Sequence, residues 1–200
     1  MKFAAALSAL ALVHAAVAQT IQSKPFELMI QSSNKAIHGK KLLASCHEGA
    51  AIESLCVTGG DSSRYFLNTT KGSSPVKGYT TSGLLVWNLP VGNEPQADSE
   101  PMSFYVDPGT NVALPLFEPS YESQYVAFEE GTGAMVIFSY LDDTVTPPTD
   151  TKVKVLKNWY ACEYNYSGYV YHTLNFVLGD ATAKPQNPSC VKVQVHRKFV

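Results

Sequence analysis

"FELMIQS", residues 26–32, decides the fold, because its apolar side chains recur at every second position. Phe26, Leu28 and Ile30 fall on one face of an extended chain, the pattern of a half-buried strand. "VKVQVHR" repeats it at the other end, with Val191, Val193 and Val195 opposite Lys192, Gln194 and His196. "TKVKVL" does the same through Val153 and Val155. "GLLVWNLP" and "AMVIFSYL" are continuous apolar runs rich in β-branched and aromatic residues, as in strands buried on both faces. Turn signals separate these runs: "TGGDSS", "KGSSP", "DPGTN", "EEGTG" and "TPPTD".

No stretch after residue 18 holds a helical period for three turns; only "EGAAIESLC" could make a short helix. Some ten to twelve strands punctuated by Gly, Pro and Asn predict an all-β, single-domain antiparallel sandwich or barrel. A β-trefoil, with four strands in each of three repeats, is the alternative. It ranks second because the three thirds share no motif at fixed spacing. "GNEPQADSEP" (92–101) reads as the most linker-like segment, and "TVTPPTDT" (144–151) as a second loop.

The start of the chain points to export. Lys2 precedes an alanine-rich apolar run, and "AVA" before Gln19 fits the small-x-small cleavage rule, so residues 1–18 read as a signal peptide cut after Ala18. The expected mature domain is 19–200. The run is too short and too rich in alanine for a permanent span, and the C-terminus has no apolar tail behind a polar spacer, so neither a membrane span nor a lipid anchor is expected. Without Lys2, fourteen basic side chains face seventeen acidic ones, with no basic stripe, which argues against nucleic acid as a partner. Asn68 ("NTT") and Asn165 ("NYS") are glycosylation acceptors, and Asn187 ("NPS") is not, because proline blocks it.

Four cysteines in an exported chain predict two disulfides. Of the three possible connectivities, sequence proximity favours Cys46–Cys56 and Cys162–Cys190. In the chain-entropy model such loops contribute about 3 and 3.5 kcal/mol. A thiol active site at "CHEGAAIESLC" is disfavoured: His47 adjoins Cys46, so on a strand the two point to opposite faces. The spacing also matches neither a C-x-x-C redox motif nor a zinc ribbon.

Catalytic signals are sparse. His38, His47, His172 and His196 form no metal-ligand spacing, and no metal or cofactor is expected. Adjacent acids at 129–130 and 142–143 sit beside turns and read as solvated. There is no G-x-S-x-G elbow and no phosphate loop. One concentration stands out: Trp159, Tyr160, Tyr164, Tyr166, Tyr169 and Tyr171, with five of the eleven tyrosines within thirteen residues. On the strand from 169, Val170, Leu174, Phe176 and Leu178 share one face with His172, read as a core histidine. Tyr169, Tyr171, Thr173 and Asn175 share the other. That face is either a platform for sugar rings or a protein partner, or filling between two sheets.

"SKPFELMIQSSN", "LLASCHEGAAIESLC" and the closing "NPSCVKVQVHRKFV", behind an alanine-rich leader, resemble small secreted proteins of filamentous ascomycete fungi that carry a domain of unknown function. A looser similarity is to fungal cell-wall proteins of the phialide type. The first resemblance implies secretion and a disulfide domain, and carries no catalytic residues. The expected function is therefore a non-enzymatic extracellular or cell-wall-associated binding protein, with cell-wall polysaccharide or an extracellular protein as partner. Two rivals are an effector-type interaction module and a hydrolase whose acids, such as Glu118, Glu129 or Asp142, come from distant strands.

Overall fold

The computed structural model describes residues 19–92, 97–119 and 122–200. The expected signal peptide and the middle of the 92–101 segment lie outside them. Among the described residues there is no helix, and the chain runs through fifteen strands. These are β1 (Thr20–Gln22), β2 (Phe26–Gln31), β3 (Lys41–Leu43), β4 (Cys56–Thr58), β5 (Tyr65–Thr70), β6 (Gly83–Pro90), β7 (Ala97–Tyr105) and β8 (Val112–Phe117). There follow β9 (Tyr125–Phe128), β10 (Met135–Asp142), β11 (Thr149–Leu156), β12 (Trp159–Tyr166), β13 (Tyr169–Val177), β14 (Val191–Lys192) and β15 (Gln194–Phe199).

All pairings are antiparallel, and they close: β5, β2, β3, β4, β13, β8, β7 and β6 form an eight-strand ring, with β5 meeting β6 at its seam. The edge of β2 that this ring leaves open is covered by β15. A second ring runs through β2, β5, β6, β9, β10 and β15. It is completed by the 134–196 bridge and by six consecutive pairs between β2 and β15.

The two rings resolve into three similar units. In each unit two strands join the six-strand ring and two make a hairpin: β2–β5 around β3·β4, β6–β9 around β7·β8, and β10–β15 around β12·β13. The hairpins meet one another through Thr173 with Cys56, Phe176 with Ala113, and Ser54 with Leu116. This is the β-trefoil plan, with β11 and β14 added to the third unit. The barrel expectation holds, and the repetition is carried by strand pairing rather than by a shared motif. Two readings change. Residues 97–101 of the supposed linker are the start of β7, and 149–151 of the supposed loop begin β11.

The core explains the patterning. Phe26, Leu28 and Ile30 are buried together with Val193 and Val195. At its centre Trp159 stacks edge-on against Phe176 at 4.9 Å, and its indole N–H donates to the Met135 carbonyl at 3.0 Å. That bond satisfies the one polar atom of a fully buried indole.

Candidate functional site

Both expected disulfides are present, and no cysteine is free among the described residues. Residues 48–56 do not form the short helix. Cys46 and Ile52 exchange backbone hydrogen bonds of 2.8 and 3.1 Å, so the ring is a tight antiparallel turn with His47 and Glu48 exposed. Two tyrosines hold it from outside. The Tyr171 hydroxyl donates to the Ala50 carbonyl at 2.7 Å, and the Tyr169 ring lies so close to Gly49 (φ +101°) that a Cβ there would fall within it. Ser45 Oγ and His47 Nε2 lie 2.9 Å apart on one face of the turn.

The structure divides the six clustered aromatics. Trp159 and Tyr171 are fully buried and present no contact surface, and Tyr164 is nearly buried. Thr173 and Asn175, assigned to the same face as Tyr171, are also buried. Thr173 Oγ1 donates to Asn175 Oδ1 at 2.8 Å, and Asn175 Nδ2 donates to the Ala113 carbonyl. The cause is that β13 is packed on both faces: Tyr171 lies against the Cys46–Cys56 disulfide with Leu43 and Ile52, while Leu174 and Phe176 enter the main core. Val170, assigned to the apolar face, is exposed, and His172 is half-buried, with burial and then Lys40 lowering its pKa. Tyr160 is half-covered, its ring beneath the Lys192 ammonium at 4.6 Å. Tyr166 and Tyr169 remain at the surface.

The β12–β13 turn shows why Tyr166 is so placed. Ser167 and Gly168 both have positive φ (52° and 86°), the signature of a two-residue hairpin turn that matches strand twist. Across from it Tyr105 meets Tyr166 edge-to-face at 5.0 Å. Beside this pair opens a cleft of about 450 Å³ lined by Tyr105, Tyr166, Tyr164, Asp107, Thr110, Val112, Asn165, Ser167 and Asn187. Asp107 caps its own turn through the Gly109 N–H at 2.7 Å. Asn187 is fixed by donating to the Glu163 carbonyl and accepting from Ser189. The two acceptor asparagines differ: Asn165 is exposed on the wall of this cleft, whereas Asn68 lies within β5 and accepts from Gln22 Nε2 at 2.9 Å.

Tyr166 also lines a second cleft of about 310 Å³, with Ser45, Ala51, Ile52, Glu53, Leu116, Phe117 and Glu118. Behind it sits Glu100 of β7, only 6% exposed. Its pKa rises from 4.5 to about 7, first because burial disfavours the anion, then through a hydrogen bond with Glu53 and the negative charges of Glu53, Asp98 and Glu118. Glu100 Oε2 is buried without a hydrogen-bond partner among the described residues. Glu118 is positioned by the Ser103 hydroxyl at 2.8 Å.

Of these acids only Glu118 was singled out by sequence. Glu100 was hidden because "ADSEP" reads as linker. As a strand it puts Glu100 on the face of Met102 and Phe104, and an acid at a core-facing position is the signal that was available. Glu129 and Asp142 lie elsewhere, each beside a threonine hydroxyl and a lysine ammonium that hold its carboxyl below the usual range. Among the described residues no group of three or more His, Cys, Asp or Glu is arranged to hold a metal ion, and no helix is long and apolar enough to cross a membrane.

A family model described as a domain of unknown function (DUF7907) matches residues 23–199. No curated protein and no solved structure matches the chain.

Proposed function

We propose, for a chain that belongs to the DUF7907 family, that it is a secreted fungal protein that binds cell-wall carbohydrate without transforming it. In this reading it leaves the cell after cleavage behind Ala18, carries a glycan at Asn68, and acts outside the cell or at the wall. The observation that carries the reading is the cleft beside the Tyr105–Tyr166 ring pair. Tyrosine rings offer an apolar face for the C–H side of a sugar and a hydroxyl for its rim, and Asp107 and Asn187 supply polar edges beside them. Two disulfides suit an oxidising extracellular setting. The test is retention of the mature protein on insoluble chitin and β-glucan. Retention by the native protein and its loss in the Tyr105→Ala and Tyr166→Ala variants are expected. No retention, or retention indifferent to both variants, overturns the reading.

A second reading, a glycoside hydrolase, is favoured by one observation: Glu53 and Glu118 line a cleft with a partly protonated Glu100 behind them. Glycoside hydrolysis needs one carboxylic acid and one carboxylate across the scissile bond. Release of reducing ends from a wall polysaccharide, abolished by Glu53→Gln, would establish it in place of simple binding.

A further inference from the structure

Resting on the carbohydrate-binding reading above, we infer that the cleft beside Tyr105 and Tyr166 selects a neutral sugar unit with two adjacent free hydroxyls, read by the Tyr164 hydroxyl and the Asp107 carboxylate. The observation behind it is Tyr164. This residue of β12 is 6% exposed, its ring packed with Val112, Leu114 and Cys162. Tyr65, Tyr171 and Trp159, buried like it, each donate to a backbone carbonyl. The Tyr164 hydroxyl has no hydrogen-bond partner among the described residues. Its pKa is raised first by burial and then by Tyr105, Asp107 and Tyr166, all of which belong to the cleft lining with it. The ring is therefore anchored in the core while its polar end faces the cleft, where a ligand can complete it.

Hydrogen-bond chemistry identifies that ligand. Asp107 is the one charged side chain in the lining, which includes no lysine, arginine or histidine. Its Oδ1 accepts from the Gly109 N–H at 2.7 Å, and its Oδ2 has no partner among the described residues. A carboxylate only accepts, whereas a phenol and a sugar hydroxyl both donate and accept. One sugar hydroxyl can thus accept from Tyr164 while donating to Asp107, and its neighbour on the ring can donate to the other carboxylate oxygen. An acetamido group cannot replace either, because the N–H and C=O of a trans amide point in opposite directions. Inside a chain of 1,4-linked N-acetylglucosamine no two adjacent hydroxyls are free, whereas every unit of a 1,6-linked glucan offers them. An acidic sugar would face Asp107 with no cation in the lining to offset the repulsion. Asn165, on the wall of the cleft, carries no glycan in this reading.

The experiment is calorimetric titration of the mature protein, produced without N-glycans so that Asn165 is free, with hexamers of 1,6-linked β-glucose, N-acetylglucosamine and glucuronic acid. The glucose hexamer is expected to bind at least about tenfold more tightly than either of the others. Tyr164→Phe deletes the hydroxyl alone. It should weaken the glucose hexamer about tenfold and leave the urea midpoint unchanged or raised, since that hydroxyl makes no bond within the protein. Asp107→Asn, which keeps an oxygen for the Gly109 N–H, should cost the glucose hexamer about as much and reduce the discrimination against glucuronic acid. Equal affinity for the three hexamers, or affinity indifferent to Tyr164→Phe, overturns this inference while leaving carbohydrate binding intact. A Tyr164→Phe variant that loses stability along with affinity overturns it too, because the hydroxyl would then be holding the fold. Failure of every hexamer to bind overturns both readings.

Discussion

Two groups of acids in this molecule share a residue type and little else. Glu129 and Asp142 stand at turns, each within 3.3 Å of a lysine nitrogen and each bonded to a threonine hydroxyl. Glu100 is buried in β7, with Glu53, Asp98 and Glu118 as its charged neighbours. Glu129 and Asp142 ionise more readily than free carboxyls, and Glu100 resists ionising. Acids that are neighbours in sequence, at 129–130 and 142–143, became solvated surface. Glu53, by contrast, was brought from far along the chain to the side of Glu100 and Glu118. Chemistry in this fold is assembled across units, not along the chain.

The contrast can be broken most forcefully at the first disulfide. The Cys46→Ser, Cys56→Ser double variant should lose about 3 kcal/mol in urea unfolding, because the 46–56 ring no longer restricts the unfolded chain. It should also free Glu53 and lower the Glu100 pKa, followed by carboxyl ¹³C shifts. A Glu100 that still titrates near 7 would show that burial alone is responsible.

The next effect is pH dependence, and the two groups have opposite signs. Glu100 has a raised folded pKa, so its contribution is full below about 4.5 and is lost as pH rises through about 7. Between pH 5 and 8 the native protein should lose about 2 kcal/mol that Glu100→Gln does not lose, measured by urea midpoints across that range. Equal slopes in the two proteins would remove the distinction.

Glu129 is depressed, so its contribution is present above the unfolded pKa and fades only as pH falls below it. Lys157→Ala should therefore cost at most about 0.5 kcal/mol at pH 7, and less in high salt, as for an exposed pair. A loss as large as that at Glu100 would mean the surface acids matter as much as the buried ones.

The sequence made single strands legible and their assembly opaque. Phe26, Leu28 and Ile30 announced a buried face because period two is a local property. Cysteine proximity likewise gave both disulfides. The burial of Tyr171, Thr173 and Asn175 was not legible, since polar alternation marks solvent only when a strand has an open face, and β13 has none there. The three-fold plan was invisible for the same reason. It consists of pairings such as Ser54 with Leu116, and no spacing along the chain encodes them. Glu100 combined both failures, lying in a stretch whose Pro, Asp and Ser content resembles a linker while its partners came from other units.

The six-residue pairing of β2 with β15 joins segments from opposite ends of the domain, Phe26 meeting Phe199. Within the domain a ribosome releases β2 early and β15 late, so in an emerging chain the six-strand ring stays open until β15 arrives. For as long as translation continues, β2 presents an unpaired edge to whatever else is nearby. Contacts of such long sequence separation also slow folding. The same seam makes β15 a natural place to interrupt assembly: a chain stopped before Gln194 keeps most of its residues and loses the means to close the six-strand ring.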